Sequence, residues 1–363
     1  LARLGRAETS LPAGAASGAR PIDLHLAGLA KMGAVELEAG EGRLVLTAPS
    51  GLHGGRDHPS LSQRGSHRDA SAGRCLCQRQ DHPAGSGPGT GDRRPGRFSE
   101  PVRRLHRGGG QLHDPHRGRR GLSGCCFSPL PDRIFASTLA CGCAAAGGRV
   151  ELTGCAPALY APVLEILGQM GCRVEPAGDT VRISRFGRLH GAGRVFTGAY
   201  PALATDAAPL LAAAMLCADS ESSIEDVIFE RRFGCAEGFC RLGAQAGTAG
   251  RVLTIAPGGL LRGTEVDAPD LRGGAALVLA GLAARGTTVI THPAHIDRGY
   301  AGFTEILAGL GAQIRRESAP GNGTVKKPLQ KTNLSCNRGK KMIRYSYISI
   351  VSNSSCAKSA GLR

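Results

Sequence analysis

The sequence predicts an α/β architecture assembled from repeated units of about 70 residues, and three observations carry that reading. A recurring unit runs through an apolar helix ending in Leu-Gly or Met-Gly, a strand, a short turn, another strand and a Gly-rich exit, with marker glycines at Gly33, Gly171, Gly243 and Gly311. Their intervals are 138, 72 and 68, so one copy is missing near residue 102. The chain has 363 residues, long for one domain and comfortable for two. Gly-x-Gly occurs, but never between a strand and a helix with a later acid, so a Rossmann dinucleotide site is excluded.

The elements follow in order from these signals. Leu29-Ala-Lys-Met-Gly33 ends a helix before the strand Ala34-Val-Glu-Leu37, and Gly168-Gln-Met-Gly171 does the same before Cys172-Arg-Val174. Cys240-Arg-Leu-Gly243 and Ala308-Gly-Leu-Gly311, before Ala312-Gln-Ile314, repeat the pattern. Asp206 precedes the run Ala207-Ala-Pro209-Leu-Leu-Ala-Ala-Ala-Met215, where Pro near the first turn marks a helix start. Asp270 precedes Leu271-Arg-Gly-Gly-Ala-Ala-Leu277 in the same way. On these residues alone, each aspartate is as well explained as a helix cap as by any chemistry.

Net charge is +16, which would suggest nucleic acid or an acidic surface as partner until the charge is located. Residues 51–120 hold 14 Arg, no Lys and six acids, and residues 318–363 hold six Lys, three Arg and no acid. The remainder carries 22 bases against 23 acids, so the folding part is nearly neutral and neither nucleic acid nor membrane is expected as a partner. No apolar run approaches the length of a membrane span, and Leu-Ala-Arg-Leu-Gly-Arg at the start is no signal peptide, which gives a cytoplasmic, N-terminally incomplete chain as the expectation. The 13 Cys lie mostly singly in Ala/Leu/Gly-rich stretches and are read as reduced, buried thiols. Cys125-Cys126 with Cys141 and Cys143 is the one cluster weighed as a zinc site; it lacks a C-x₂-C knuckle and a His pair and is read as structural, so no metal and no cofactor are expected.

Two stretches differ from the rest. Residues 318–363 hold six of the seven Lys of the chain, an abrupt Arg-to-Lys switch that points to read-through or a joined fragment and predicts a disordered basic tail. Residues 55–120 are rich in Gly, Pro, Arg and His, with one Val and no Ile, so neither helix nor strand periodicity survives there.

Several motifs in order carry a family resemblance: Gly18-Ala-Arg-Pro-Ile-Asp-Leu-His25, Leu130-Pro-Asp-Arg-Ile134, Ala204-Thr-Asp206, Phe229-Glu-Arg-Arg-Phe233, Asp270-Leu-Arg272 and His295-Ile-Asp-Arg-Gly-Tyr300. Over roughly 1–54 and 122–317 the chain resembles the UDP-N-acetylglucosamine enolpyruvyl transferases, which catalyse the first committed step of bacterial peptidoglycan synthesis. The resemblance implies an inside-out α/β barrel of two domains built from βαβαββ repeats, with substrates in the cleft between them. Residues 1–131 would be the remnant of the first barrel domain, 132–317 the second, and Leu130-Pro-Asp132 the crossover. The family's Lys-Asn pair would lie upstream of Leu1. Shifted one base forward, degenerate codons for Gly87 to Phe98 can read AREPEIVDLAGF, those for Arg56 to Arg68 EITLPFPSVGATE, and those for Gln111 to Arg119 STIHIEGV, each like a family motif. A frameshift entered near Gly55 and corrected near Arg120 follows, and the basic patch becomes a by-product of the wrong frame.

The reaction implied by the resemblance moves the enolpyruvyl group of phosphoenolpyruvate to the 3′-hydroxyl of UDP-N-acetylglucosamine and releases phosphate. Both substrates are anionic, and arginine forks match carboxylate and phosphate. Arg20, Arg232, Arg272 and Arg298 are the candidate cations, with Pro21, Ile22, Asp23, Leu24 and Ile228 also assigned to substrate binding. Asp206 is placed as the hydroxyl-activating carboxylate, with Asp270 and Arg298 as further catalytic candidates. In Leu11-Pro-Ala-Gly-Ala15-Ala-Ser-Gly18 the family's proton-donating Cys, Asp in some relatives, is replaced by Ala15, and impaired activity is the expectation. Two other classes stay open: a non-catalytic UDP-sugar-binding relative, which Ala15 favours, and a decayed reading frame without function. The sister enzyme acting on shikimate phosphate fits less well, because Arg20-Pro-Ile-Asp-Leu-His25 resembles the UDP-sugar loop.

Overall fold

The structure, a computed structural model, describes residues 1–2, 4–10, 22–40, 43–53 and 130–318, together with the strand segments 80–81, 105–106, 116–117 and 346–352. Ala15, Arg20, Pro21, Cys125, Cys126 and almost all of 55–120 lie outside the described residues.

Near the start, β1 (Arg6–Ser10), α1 (Asp23–Lys31), β2 (Val35–Gly40) and β3 (Arg43–Thr47) supply a helix and an antiparallel sheet of order β1-β3-β2. Three two-residue strands, β4 (Gln80–Asp81), β5 (Leu105–His106) and β6 (His116–Arg117), pair in the order β4-β6-β5.

From residue 130 onward the repeat is explicit. The first unit holds α2 (Arg133–Ala146), β7 (Gly148–Leu152), α3 (Ala161–Gln169), β8 (Arg173–Ala177) and β9 (Thr180–Arg185). The second holds β10 (Gly193–Phe196), α4 (Ala208–Met215), β11 (Ser222–Glu225), α5 (Ala236–Arg241), β12 (Gln245–Ala249) and β13 (Val252–Ala256), paired β10-β11-β13-β12. The third repeats that order with β14 (Glu265–Asp267), α6 (Leu271–Ala283), β15 (Gly286–Thr291), a short α7 (Ala294–Asp297), α8 (Phe303–Gly309), β16 (Ile314–Ser318) and β17 (Ser346–Ser352), paired β14-β15-β17-β16. In both complete units the first two strands are parallel and the other pairings antiparallel, which is the βαβαββ plan.

Each marker glycine closes a helix by one device. Gly33, Gly171, Gly243 and Gly311 have φ of 92°, 102°, 97° and 99°. At each, the glycine N–H and the following N–H turn back onto the last helical turn, as in Gly243 to Cys240 O (2.9 Å) and Ala244 to Phe239 O (3.0 Å). This pair of reversed bonds is the Schellman arrangement, whose left-handed residue glycine adopts without a Cβ penalty.

The sheets flank helices that are buried far beyond one stripe. All eight residues of α4 are buried, as are residues 273–281 of α6 and ten of the fourteen in α2. These three helices pack on one another, and their Ala and Gly content lets the backbones approach closely; a Cβ on Gly142 would already sit 3.1 Å from Leu279. The strands keep one wet face, as the alternating burial of β13 shows. Helices inside and sheets outside is the inside-out α/β arrangement expected above. One continuous apolar core runs from Ile134 to Leu307 through all three units.

Two expectations meet the structure differently. The tail read as disordered contributes β17, whose backbone pairs from Thr291↔Tyr347 on one side to Ile314↔Ile350 on the other, so 346–352 is a strand and not a disordered segment. The described cysteines are free, with Cys141, Cys143, Cys155, Cys172 and Cys235 buried, as expected. Burial pushes the Cys143 and Cys172 thiols up to about 11 and that of Cys235 to about 12, which leaves them protonated and inert. Among the described residues no group of three metal-ligating side chains occurs, and no helix is long and apolar enough to cross a membrane.

Candidate active site

An aspartate stands at the start of each inner helix: Asp132 before α2, Asp206 before α4 and Asp270 before α6. Two of the three are caps. Asp132 Oδ1 accepts from the Ile134 and Phe135 amides (2.8 and 3.0 Å), and Asp270 Oδ1 from those of Arg272 and Gly273 (2.9 and 2.7 Å). Asp270 therefore shapes the site from behind, by starting α6 at the register that presents Arg272. Its expected catalytic role gains no contact here beyond that cap.

Asp206 makes no cap bond to its helix. Its carboxylate is held instead by two arginines from different elements, with Arg232 Nη2 donating to Oδ1 at 2.6 Å and Arg272 Nη2 to Oδ2 at 3.2 Å. Arg232 also donates through Nε to Thr205 O at 2.8 Å. The Arg232 side chain is 6% exposed and that of Arg272 16%, whereas Asp206 keeps 40%, so the carboxylate remains open to a partner. Burial alone would raise the Asp206 pKa, yet the charges of Arg232 and Arg272 outweigh it and hold the carboxyl below its usual range. The site thus offers a fixed anion with two cations around it at the N-terminal ends of α4 and α6, where the helix dipoles add positive potential.

Two further residues brace this cluster. Asp226 is fully buried, caps the turn into the Phe229–Phe233 motif through the Ile228 and Phe229 amides (2.8 and 2.7 Å), and accepts from the Thr205 hydroxyl. It thereby ties the residue next to Asp206 to the turn that delivers Arg232. The signal in the sequence was an Asp two and three residues ahead of those amides, the Asx-turn pattern. Tyr300 is also buried and lies under Arg272, 5.3 Å from guanidinium carbon to ring centroid.

The remaining candidates spread out. Ile228 is 48% exposed at the rim of the same turn, and Arg298 is exposed at the C-terminus of α7, where its backbone N–H donates to Ile296 O and its side chain makes no hydrogen bond or ion pair among the described residues. Ile22 occupies the N-cap position of α1 without a side-chain cap bond, Asp23 is exposed in its first turn, and Leu24 follows in the helix. His295 of the same motif as Arg298 donates from Nδ1 to Ala268 O at 2.8 Å, pinning α7 against the strand end that precedes Asp270.

Residues 113–307 match the family EPSP synthase (3-phosphoshikimate 1-carboxyvinyltransferase), more than half of the chain. The chain belongs to the EPSP synthase family. Within it, the chain is 34% identical to a UDP-N-acetylglucosamine 1-carboxyvinyltransferase of Rhodopseudomonas palustris (strain BisB18) over 88% of this chain and 74% of that protein. A protein of the same name from Caulobacter sp. (strain K31) is 36% identical over 89% of this chain and 74% of its own length. Among solved structures, the enolpyruvyl transferase NikO of Streptomyces tendae superposes with a TM-score of 0.76 at 22% identity, covering 85% of this chain and 74% of that one, which establishes the enolpyruvyl transferase fold. An EPSP synthase from Acinetobacter baumannii superposes at 0.62 and 19% identity, covering 83% of this chain and 73% of its own.

Proposed function

We propose that this chain is an enolpyruvyl transferase acting on phosphoenolpyruvate and UDP-N-acetylglucosamine, with release of phosphate. One observation carries the choice of acceptor: the relatives at 34–36% identity over about nine-tenths of the chain bear the UDP-N-acetylglucosamine name. The site geometry supplies the chemistry. Asp206 accepts and orients the attacking hydroxyl, while Arg232 and Arg272 neutralise the phosphate and carboxylate of the enolpyruvyl donor. With both arginines on it, Asp206 is a weak base. A bound anion that draws on the same two cations raises the carboxyl toward the range in which it can take the hydroxyl proton, so activation waits for the second substrate. Arg298, exposed beside α7, is free to close onto that anion, and Arg20 to Leu24 with Ile228 are assigned to the UDP-sugar.

Isothermal calorimetry tests the acceptor directly. UDP-N-acetylglucosamine binds and shikimate 3-phosphate does not, and Arg20→Ala weakens the UDP-sugar by about 1.5–3 kcal/mol, the worth of a charged hydrogen bond. Binding of shikimate 3-phosphate in its place refutes the assignment.

A further inference from the structure

Arg232 and Arg272 reach the same carboxylate but are held there by different means. Arg232 is locked by two hydrogen bonds, through Nε to Thr205 O and through Nη2 to Asp206. Arg272 reaches Asp206 through a single bond, at 3.2 Å, its buried Nε has no partner among the described residues, and its other side-chain partner is Tyr300. The bond to Asp206 alone therefore leaves the plane of the Arg272 guanidinium underdetermined. What lies against that plane is the ring of Tyr300.

Tyr300 is itself over-determined. It is 2% exposed and packed against Phe303 (ring centroids 4.9 Å apart) and Phe135 (5.7 Å). At its far end the hydroxyl lies 2.9 Å from Thr138 Oγ1. Thr138 already donates its one proton to Ile134 O at 2.8 Å, so Tyr300 is the donor in that pair. A continuous chain thus runs from α2 through Thr138, Tyr300 and Arg272 to Asp206 at the start of α4.

We propose that Tyr300 is a positioning residue for Arg272: its ring face, anchored from behind by Thr138, sets the guanidinium against Asp206 and presents it to the enolpyruvyl donor. A cation over an aromatic face is attracted to it and loses its freedom to rotate away. The inference rests on the function proposed above for what Arg272 presents to substrate, but its first readout needs no substrate.

The experiment follows the Asp206 carboxyl carbon by NMR titration in the full chain, around which Arg232, Arg272 and Tyr300 are the facing groups. Arg272→Gln sets the reference upward shift. Tyr300→Leu moves Asp206 up toward the Arg272→Gln position, whereas Tyr300→Phe, which keeps the ring but loses the hydroxyl anchored on Thr138, moves it only part of the way. In parallel, Tyr300→Leu weakens phosphoenolpyruvate binding by about tenfold, the scale of a lost cation–π contact, with UDP-N-acetylglucosamine affinity unchanged. A merely structural tyrosine would lower thermal stability without moving the Asp206 titration. If Tyr300→Leu does not fold, Thr138→Val reads the same chain and shifts Asp206 part of the way. A folded Tyr300→Leu, or failing that Thr138→Val, whose Asp206 titrates as in the wild type overturns the proposal, as does an Asp206 insensitive to Arg272→Gln. Loss of UDP-sugar binding in the wild type would strike the function alone and leave the titration to judge Tyr300.

Discussion

Burial and charge pull the Asp206 carboxyl in opposite directions, and the two arginines win. The sign of the resulting pH dependence follows. A folded-state pKa below the unfolded value contributes stability that is present above about pH 4 and lost as pH falls through the folded pKa. Asp206→Asn should therefore lower stability at pH 7 and converge on the wild type in strong acid, which urea melts at both ends of the range will measure. Arg232→Ala leaves the Thr205 carbonyl without its donor and should cost about 1–3 kcal/mol, with the Asp206 share reduced because that carboxylate is partly wet. Arg232→Lys should not restore it, since a single ammonium cannot meet both acceptors. Asp270→Ala should cost about 0.5–2 kcal/mol and Asp270→Asn much less, because Asn caps equally well. In the sequence Asp206 and Asp270 looked alike, each an aspartate ahead of an Ala-rich helix. What separates them is Arg232, brought from 26 residues away by the turn that Asp226 closes, a contact no local pattern encodes.

Between residues and elements, the marker glycines were the most legible feature, because a left-handed helix terminus restricts the residue type and leaves a countable period. The same motif recurs with different surroundings, which orders the cost of adding a methyl group. A Cβ on Gly243 would meet Leu260 O at 2.7 Å, one on Gly171 would lie 3.4 Å from Arg188 O, and one on Gly311 would meet nothing within 4 Å. Thermal melts of the three Gly→Ala variants should rank Gly243 as the most damaging and Gly311 as the least, the last costing about 1 kcal/mol for the strained φ alone. The strand β17 was not legible at the scale of composition: the Lys, Asn and Ser of 318–363 hid Tyr347, Ile348, Ile350 and Val351, a short β-prone run whose pairing partners lie elsewhere in the chain. The inner helices were legible as helices but not as interior ones, since Ala and Gly by themselves do not say which face is covered.

Across the whole molecule, the described fold is richest where hydrophobic periodicity persists, and the three units from residue 130 share one core. Residues 55–120 offer almost no apolar positions at helix or strand spacing, which we propose to be the product of a shifted reading frame. Restoring the frame between Gly55 and Arg120 should raise soluble yield and sharpen the thermal transition; equal behaviour of the two versions would count against the frameshift. Ala15 stands where the family resemblance puts a proton-donating Cys, and we propose that it limits the entire reaction, because a methyl group cannot protonate the methylene carbon of phosphoenolpyruvate. The most direct test is phosphate release from phosphoenolpyruvate by this chain and by its Ala15→Cys variant, with UDP-N-acetylglucosamine or shikimate 3-phosphate as acceptor. Release should depend on the UDP-sugar and rise by about 10²–10⁴ on Ala15→Cys, the usual worth of a positioned general acid. Release that requires shikimate 3-phosphate, or an Ala15→Cys variant that binds both substrates and releases none, would contradict the assignment of this site to enolpyruvyl transfer onto UDP-N-acetylglucosamine.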